Sequence, residues 1–241
     1  MAHSRNSPGN AKACVIVHPI RTYRGHDLNT STQLAGRGLY AITGGPRPDL
    51  LDVVAQALAG GAQLLQYRDL TDDAERRHAE AAALRQLCSR HGVPLIIDHD
   101  IALAQAVAAD GVHLGRDDDE PGAVRAVLGH RAIIGVSCYG SLPRAQAAAN
   151  AGASYVSFGA FFPSPTKPLA PCVSIELLRQ SAALGVPRVA IGGITPDNGA
   201  ALVEAGADYL AAVSAVFGAP DARNAARCFT DLYPPTSGTS S

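Results

Sequence analysis

The chain has 241 residues, 47% of them hydrophobic and 17% charged, which is enough apolar material for a large core and too little charge for a disordered body. Its formal net charge is −1 and its Lys and Arg residues form no block, so nothing draws it to nucleic acid or an anionic membrane and any affinity for anions must be local. Five scattered cysteines with no C-x-x-C pair argue against a disulfide framework or structural zinc. The first residues lack a signal-like apolar region, and no run approaches the roughly 18 apolar residues of a membrane span. A soluble, cytoplasmic protein is expected, with monomer and homo-oligomer both open.

Residues 1–35, rich in Ser, Asn, Arg and Thr, precede any regular pattern and are expected to form a flexible N-terminal extension; their apolar patch Ala13–Val17 also suits a strand or a plug at one end of the core. From residue 38 a regular cadence sets in. A strand at 38–43 is followed by a helix at 48–59, then strand 63–68 and helix 72–91, strand 94–98 and helix 100–108, strand 111–115 and helix 121–128. The second half repeats it: 132–137 and 141–151, 155–160 and 174–184, 188–193 and 196–205, 209–214 and 221–232. Glycines at the helix-to-strand junctions (Gly60-Gly61, Gly111, Gly152, Gly206) read as helix C-caps. Eight such units are what a closed parallel barrel requires, and such barrels run to about 250 residues as one domain. A doubly wound sheet would need fewer units and a G-x-G-x-x-G turn. The expected class is therefore α/β, a single (β/α)8 TIM barrel over residues 36–233, with 234–241 a disordered tail.

In such a barrel the chemistry sits where strands end. Strand two ends Gln66-Tyr67-Arg68, strand three Asp98-His99-Asp100, strand four Gly115 through Asp119, strand five Ser137, strand seven Gly192-Gly193 and strand eight Val213-Ser214. Strand six leads into Ser164-Pro165-Thr166-Lys167, where two hydroxyls and an ammonium fall within four residues of a Pro-stiffened loop. Alone, that loop reads equally as a solvated connection or as a phosphate cradle. Gly193 with Val213 and Ser214 matches the place where barrels bind phosphate through backbone N–H groups. Asp118, across one strand spacing from Asp98, suits Mg²⁺, a hard cation that takes carboxylate, phosphate and water oxygens; Asp119 and Glu120 are better explained as the cap and acidic first turn of the following helix. His91, His113 and His130 read as structural, His113 as a filler of the barrel, and Tyr67 either stacks on a ring or packs.

The ordered set Gln66-x-Arg68, Asp98-His99, Gly111-Val-His-Leu-Gly115 with Asp118, Gly135-Val-Ser137, Phe162-Pro-Ser-x-Thr-Lys167, Ile191-Gly-Gly-Ile194 and Val213-Ser214 resembles thiamine phosphate synthase over roughly residues 38–232. The resemblance implies a Mg²⁺-dependent transferase acting on small phosphorylated substrates. It joins 4-amino-5-hydroxymethyl-2-methylpyrimidine diphosphate to 4-methyl-5-(2-phosphoethyl)thiazole, giving thiamine phosphate and pyrophosphate. It implies Gln66, Tyr67, Arg68, Asp69, Leu70, Asp98, Ser137 and Lys167 around the pyrimidine diphosphate, and Ser164, Pro165, Thr166, Gly193, Val213 and Ser214 around the thiazole phosphate. Asp118 and Asp98 are the implied metal ligands, with the second place open also to Asp100, a poorer candidate, or His99, and Arg68, Ser137 and Lys167 carry the chemistry. Loss of pyrophosphate leaves a pyrimidine-methyl cation that the thiazole nitrogen attacks with its lone pair, so no general base is required.

Three positions depart from the family pattern. Leu70 stands where a lysine is usual, Asp98-His99 replaces an Asn-Asp pair, and Tyr139 replaces a histidine. The first two weaken the pyrophosphate half and place more of that duty on Lys167; they imply slower turnover or a greater demand for metal. Two other readings stay open: a thiazole tautomerase-like barrel, which would use the histidine absent at Tyr139, and a barrel that binds a thiamine precursor without catalysis.

Overall fold

The computed structural model describes Leu34, residues 36–163 and residues 172–233. The readings made for the rest of the N-terminal extension, for residues 164–171 and for the tail at 234–241 lie outside the described residues. Eight parallel strands close into a barrel in sequence order, β1 pairing with both β2 and β8. They are β1 (Gly38–Ile42), β2 (Leu64–Tyr67), β3 (Leu95–Asp98), β4 (Gly111–Leu114), β5 (Ile133–Tyr139), β6 (Tyr155–Phe158), β7 (Arg188–Ile191) and β8 (Tyr209–Ala212). Between and after them run α1 (Leu50–Ala59), α2 (Ala74–His91), α3 (Ile101–Ala106), α4 (Pro121–Leu128), α5 (Leu142–Asn150), α6 (Glu176–Gln180), α7 (Pro196–Glu204), α8 (Ser214–Phe217) and α9 (Ala222–Thr230). No helix of the described residues is long and apolar enough to cross a membrane.

The strands alternate strictly, because successive side chains of a strand point to opposite faces. Leu39, Ala41, Leu65, Tyr67, Leu95, Ile97, Phe158, Ala190 and Leu210 pack outward against the helices in the main apolar cluster. Tyr40, Ile42, Leu64, Ile96, Ile133, Tyr155, Val189, Tyr209 and Ala211 fill the barrel itself. Leu34 belongs to this inner cluster and is buried.

Local chemistry accounts for most boundaries. Asp73, Asp100, Ser141 and Asp221 cap α2, α3, α5 and α9, each side chain accepting from a backbone N–H of the first turn. Gly61, Gly152 and Gly206 follow their helices in left-handed backbone, as their junction positions suggested. Gly111 does something else. It lies within β4, and a side chain there would collide with the carbonyl of Ile133 on β5; the left-handed residue closing that junction is Ala108. The helix expected over 174–184 is an α-helical turn and a half that tightens into a 3₁₀ turn at Ser181–Leu184. Strand eight stops at Ala212 rather than 214: Val213 turns the chain, and its carbonyl accepts from Val216 and Phe217 to start the short α8, which the periodicity does not reveal.

Gly135 sets the interior geometry. It faces inward on β5, and a Cβ there would fall within the ring of Tyr155, which is fully buried. The glycine of the Gly135-Val-Ser137 motif is thus the space into which a large ring from β6 is packed. Overpacking a well-filled core costs about 1–3 kcal/mol. Gly135→Ala should destabilise the fold by that amount or prevent soluble expression; a urea midpoint equal to wild type would show that the ring can move aside.

Candidate active site

The ends of β3 and β4 carry a tight ionic group. Asp98 closes β3 with a side chain only 6% exposed; its Oδ2 lies 3.3 Å from Arg68 Nε but without hydrogen-bond alignment, leaving that buried oxygen unpartnered. Burial pushes the Asp98 carboxyl up, against the opposing pull of His99 and Arg68. His99 follows in left-handed backbone, φ 59°, and its ring spans two carboxylates: Nδ1 hydrogen-bonds Asp118 Oδ2, and Nε2 is 3.5 Å from Asp98 Oδ1. The same Asp118 oxygen accepts from the Gly115 N–H at 2.6 Å, which folds the loop after β4 back toward β3. A Cβ at Gly115 would stand 2.7 Å from His99 Cε1, so the small residue makes room for the imidazole.

Asp100 and the acidic turn beyond Asp118 are otherwise engaged. Asp100 caps α3 and pairs with Arg77 at 2.7 Å, which removes it as a metal ligand. Glu120 occupies the cap position of α4, but its side chain makes no capping hydrogen bond, contrary to the role expected for it. Among the described residues no set of three or more His, Cys, Asp or Glu is placed to hold a metal unaided. An unpartnered buried oxygen of Asp98 and a second carboxylate across His99 fit Mg²⁺, which characteristically takes one or two protein carboxylates and completes its shell with phosphate and water. The nitrogen of His99 suits that ion less well.

The segment after β2 divides by strand alternation. Gln66 points inward, is 3% exposed, and its Nε2 has no partner. Arg68 is half-exposed beside Asp98, and its backbone is held by Thr43, whose Oγ1 accepts from Arg68 N at 2.7 Å and donates to Arg68 O at 3.0 Å. Tyr67 and Asp69 face the other way. The Tyr67 hydroxyl donates to Glu80 at 2.7 Å, and the fully buried Asp69 carboxylate binds Arg76 at 2.6 Å and the Thr71 N–H at 2.9 Å. These two expected ligands are not brought to the mouth; they fasten its rim to α2. Leu70, at the tip, is 68% exposed and carries no charge to the site.

Ser137 lies at the mouth, half-buried, and its Oγ is 2.9 Å from His113 Nε2. His113 does fill the barrel, but it is also a linker: its Nδ1 lies 3.0 Å from the Tyr155 hydroxyl, which is 2.7 Å from that of Tyr40. Burial lowers the His113 pKa from 6.5 to about 4, so the ring is neutral at pH 7. Arg144 ties two strand ends together, donating to Ser137 O and Gly115 O at 2.8 Å each. Tyr139, in left-handed backbone just past a register shift in β5, has the guanidiniums of Arg116 and Arg144 over its ring, at 4.8 Å and 5.9 Å from the centroid. None of Tyr40, Tyr155 or Arg144 was singled out from sequence. A buried phenol usually finds a hydrogen-bond partner, and the inward phase of Tyr40 and Tyr155 was the signal available.

On the opposite rim Gly192 and Gly193 both take left-handed backbone, φ 101° and 62°. A Cβ on Gly193 would collide with the carbonyls of Phe162 and Pro163, so this turn is pressed against the start of the loop after β6. Asn198 secures it by donating to Gly193 O at 3.0 Å. Val213 and the exposed Ser214 open α8 on the neighbouring strand end. Ser164, Pro165, Thr166 and Lys167 lie outside the described residues.

Residues 39–216 match the family model described as thiamine monophosphate synthase. The chain belongs to this family. It is 56% identical over 204 residues to a thiamine-phosphate synthase of Azoarcus sp., covering 82% of this chain and 97% of that protein. It is 51% identical over 203 residues to one of Acidithiobacillus ferrooxidans, covering 81% and 94%. The solved thiamine phosphate pyrophosphorylase of Pyrococcus furiosus is 33% identical and superposes with a TM-score of 0.73 over 81% of this chain and 94% of its own.

Burial leaves the neutral His113 with a measurable signature. Its folded pKa, about 4, lies below the unfolded value of 6.5, so as pH falls through this window the unfolded chain binds a proton that the native state refuses. Stability contributed by the neutral ring is therefore complete above pH 6.5 and lost on acidification, by about 2 kcal/mol at pH 5. Urea unfolding at pH 7 and pH 5 should show a smaller acid loss in His113→Gln than in wild type; equal losses would mean the ring titrates normally.

Proposed function

We propose that this chain is a transferase, a thiamine-phosphate synthase, joining the pyrimidine diphosphate to the thiazole phosphate with release of pyrophosphate. The observation that carries the reading is the pair of buried, unpartnered polar atoms, Gln66 Nε2 and Asp98 Oδ2, on adjacent strand ends beside Arg68. Buried polar groups are hydrogen-bonded in the great majority of cases, and each orphan costs about 1–3 kcal/mol, so a polar ligand belongs there. Gln66, Arg68, Asp98 and Ser137 bind the pyrimidine diphosphate. Gly193, Val213 and Ser214 bind the thiazole phosphate across the mouth, joined on sequence grounds by Ser164, Pro165, Thr166 and, toward pyrophosphate, Lys167.

Mg²⁺ is the cofactor in this reading; Asp118 and Asp98 would hold it, and when bound it supplies neutralising charge to the diphosphate. Arg68 and Lys167 stabilise the departing pyrophosphate, and Gln66 and Ser137 fix the pyrimidine so that its methylene faces the thiazole nitrogen. The bond from methylene to diphosphate oxygen breaks with its electrons going to oxygen, and the nitrogen lone pair closes on the resulting cation. No proton is moved, consistent with a mouth in which His113 is committed to Ser137 and Tyr155. The reaction is cytoplasmic in this reading.

The tautomerase alternative loses support at Tyr139. A phenol ring stands there, in contact with the guanidiniums of Arg116 and Arg144, where an imidazole would be needed for proton transfer. Purified protein given both substrates and Mg²⁺ should form thiamine phosphate and pyrophosphate in equal amounts. Thiazole phosphate binding without product would favour the non-catalytic barrel. Leu70→Lys restores a cation at an exposed tip; it should lower the KM for the pyrimidine diphosphate or the Mg²⁺ needed for half-saturation by about two- to fivefold, the roughly 0.4–1 kcal/mol of an exposed charge. Unchanged values for both would mean that the site is already balanced without that cation.

A further inference from the structure

We propose that the buried chain Tyr40–Tyr155–His113 fixes the Ser137 hydroxyl as a hydrogen-bond donor toward the substrate. This rests on Ser137 being a substrate-binding residue. The three contacts, 2.7 Å, 3.0 Å and 2.9 Å, run without a break from β1 through β6 and β4 to the end of β5. Tyr40, Tyr155 and His113 are buried, whereas Ser137 reaches the mouth.

A neutral imidazole has one N–H and one bare nitrogen, so the hydrogens can run in only two directions. If Tyr40 donates to Tyr155, Tyr155 donates to His113 Nδ1, and Nε2–H donates to Ser137 Oγ, every buried hydrogen has an acceptor. The remaining hydrogen is that of Ser137, at the mouth. In the reverse direction Ser137 donates to Nε2, Nδ1–H donates to Tyr155, and Tyr155 donates to Tyr40. The Tyr40 hydrogen is then stranded, because among the described residues its hydroxyl hydrogen-bonds to Tyr155 alone, and stranding a buried donor is the unfavourable arrangement. The first direction therefore prevails. Tyr155 is held for this task by edge-on packing with Tyr40 and by stacking on His113 at 5.6 Å between ring centroids. Arg144 pins the Ser137 backbone from the other side.

Two consequences follow for the site. The Ser137 oxygen already accepts from His113, so Ser137 meets an acceptor on the pyrimidine diphosphate: a ring nitrogen or a diphosphate oxygen. His113, Tyr155 and Tyr40 are positioning residues that act through Ser137.

The test begins with wild-type protein carrying ¹⁵N-labelled histidine, without substrate, at pH 7. The His113 resonances, assigned by their loss in His113→Gln, should show a protonated Nε2 and a bare Nδ1; a protonated Nδ1 would overturn the proposal. Kinetics supply an independent readout on variants whose circular dichroism matches wild type. His113→Gln can place an amide N–H near the former Nε2, whereas His113→Leu fills similar volume and donates nothing. kcat/KM should fall at least about tenfold in the leucine variant, about 1.4 kcal/mol, and stay within about threefold of wild type in the glutamine variant. Equal losses in both would make His113 a filler only and reject the relay. Should the leucine variant not fold, the wild-type tautomer still decides. Absence of product from wild type would sink the synthase reading and leave the tautomer result standing, so the two failures are distinguishable.

Discussion

Closing eight strands into a ring leaves an interior of fixed volume, and the identity of each inward side chain is constrained by those opposite it. Here the interior is not a uniform apolar plug. Tyr155 projects into the space left by Gly135, its hydroxyl reaches both Tyr40 and His113, and His113 in turn reaches Ser137. Packing and hydrogen bonding are therefore the same constraint: the missing side chain on β5 seats the ring whose hydroxyl orients the imidazole below the mouth. Polar groups this deep are stabilising only when every one is satisfied, because low dielectric magnifies both the bond and its absence.

Above that interior the strand ends leave ordinary strand geometry. His99, just after β3, and Tyr139, the last residue of β5, both have positive φ, and both stand at positions where the resemblance implies a different residue. Such conformations cost of order 1–3 kcal/mol and persist where surrounding contacts over-determine them. For His99 those contacts are Asp98 and Asp118; for Tyr139 they are the guanidiniums of Arg116 and Arg144. The substituted side chains have thus acquired structural partners of their own, and the loops after β3, β4 and β5 are bound into one rim by Arg144 and the Gly115–Asp118 turn.

The barrel was legible in the sequence because its signal is repetitive: apolar strands and amphipathic helices alternate eight times, glycines mark most of the helix-to-strand junctions, and each strand appears within one or two residues of its expected place. The strand-end residues were legible for the same reason, since a TIM barrel fixes where strand ends go. What failed was side-chain direction and local chain turning. The resemblance implied Tyr67 and Asp69 beside Gln66 and Arg68, yet period-two alternation sends the first pair to α2 and the second to the mouth. The four residues of α8 are too few to carry a helical period, so Val213 and Ser214 read as strand. Hydrogen bonds between Tyr40, Tyr155 and His113 join residues up to 115 positions apart, and no local pattern encodes them.

Electrostatics at the mouth explain why the departures can coexist with the proposed reaction. Cations close to β2 are largely committed: Arg76 is held by Asp69, Glu80 and Asp73, and Arg77 by Asp100. Arg68 is only loosely engaged with Asp98, at 3.3 Å and without hydrogen-bond alignment, so a diphosphate can recruit it without breaking a formed hydrogen bond. Burial that pushes the Asp98 carboxyl up makes its charged form depend on neighbouring positive charge. A cation placed between Asp98 and the diphosphate would favour the carboxylate and neutralise the leaving group at once. In the proposed reaction, Leu70 in place of the expected lysine would shift the balance toward metal and Arg68 without removing the principle, because a departing pyrophosphate requires compensating charge and not any particular residue to supply it.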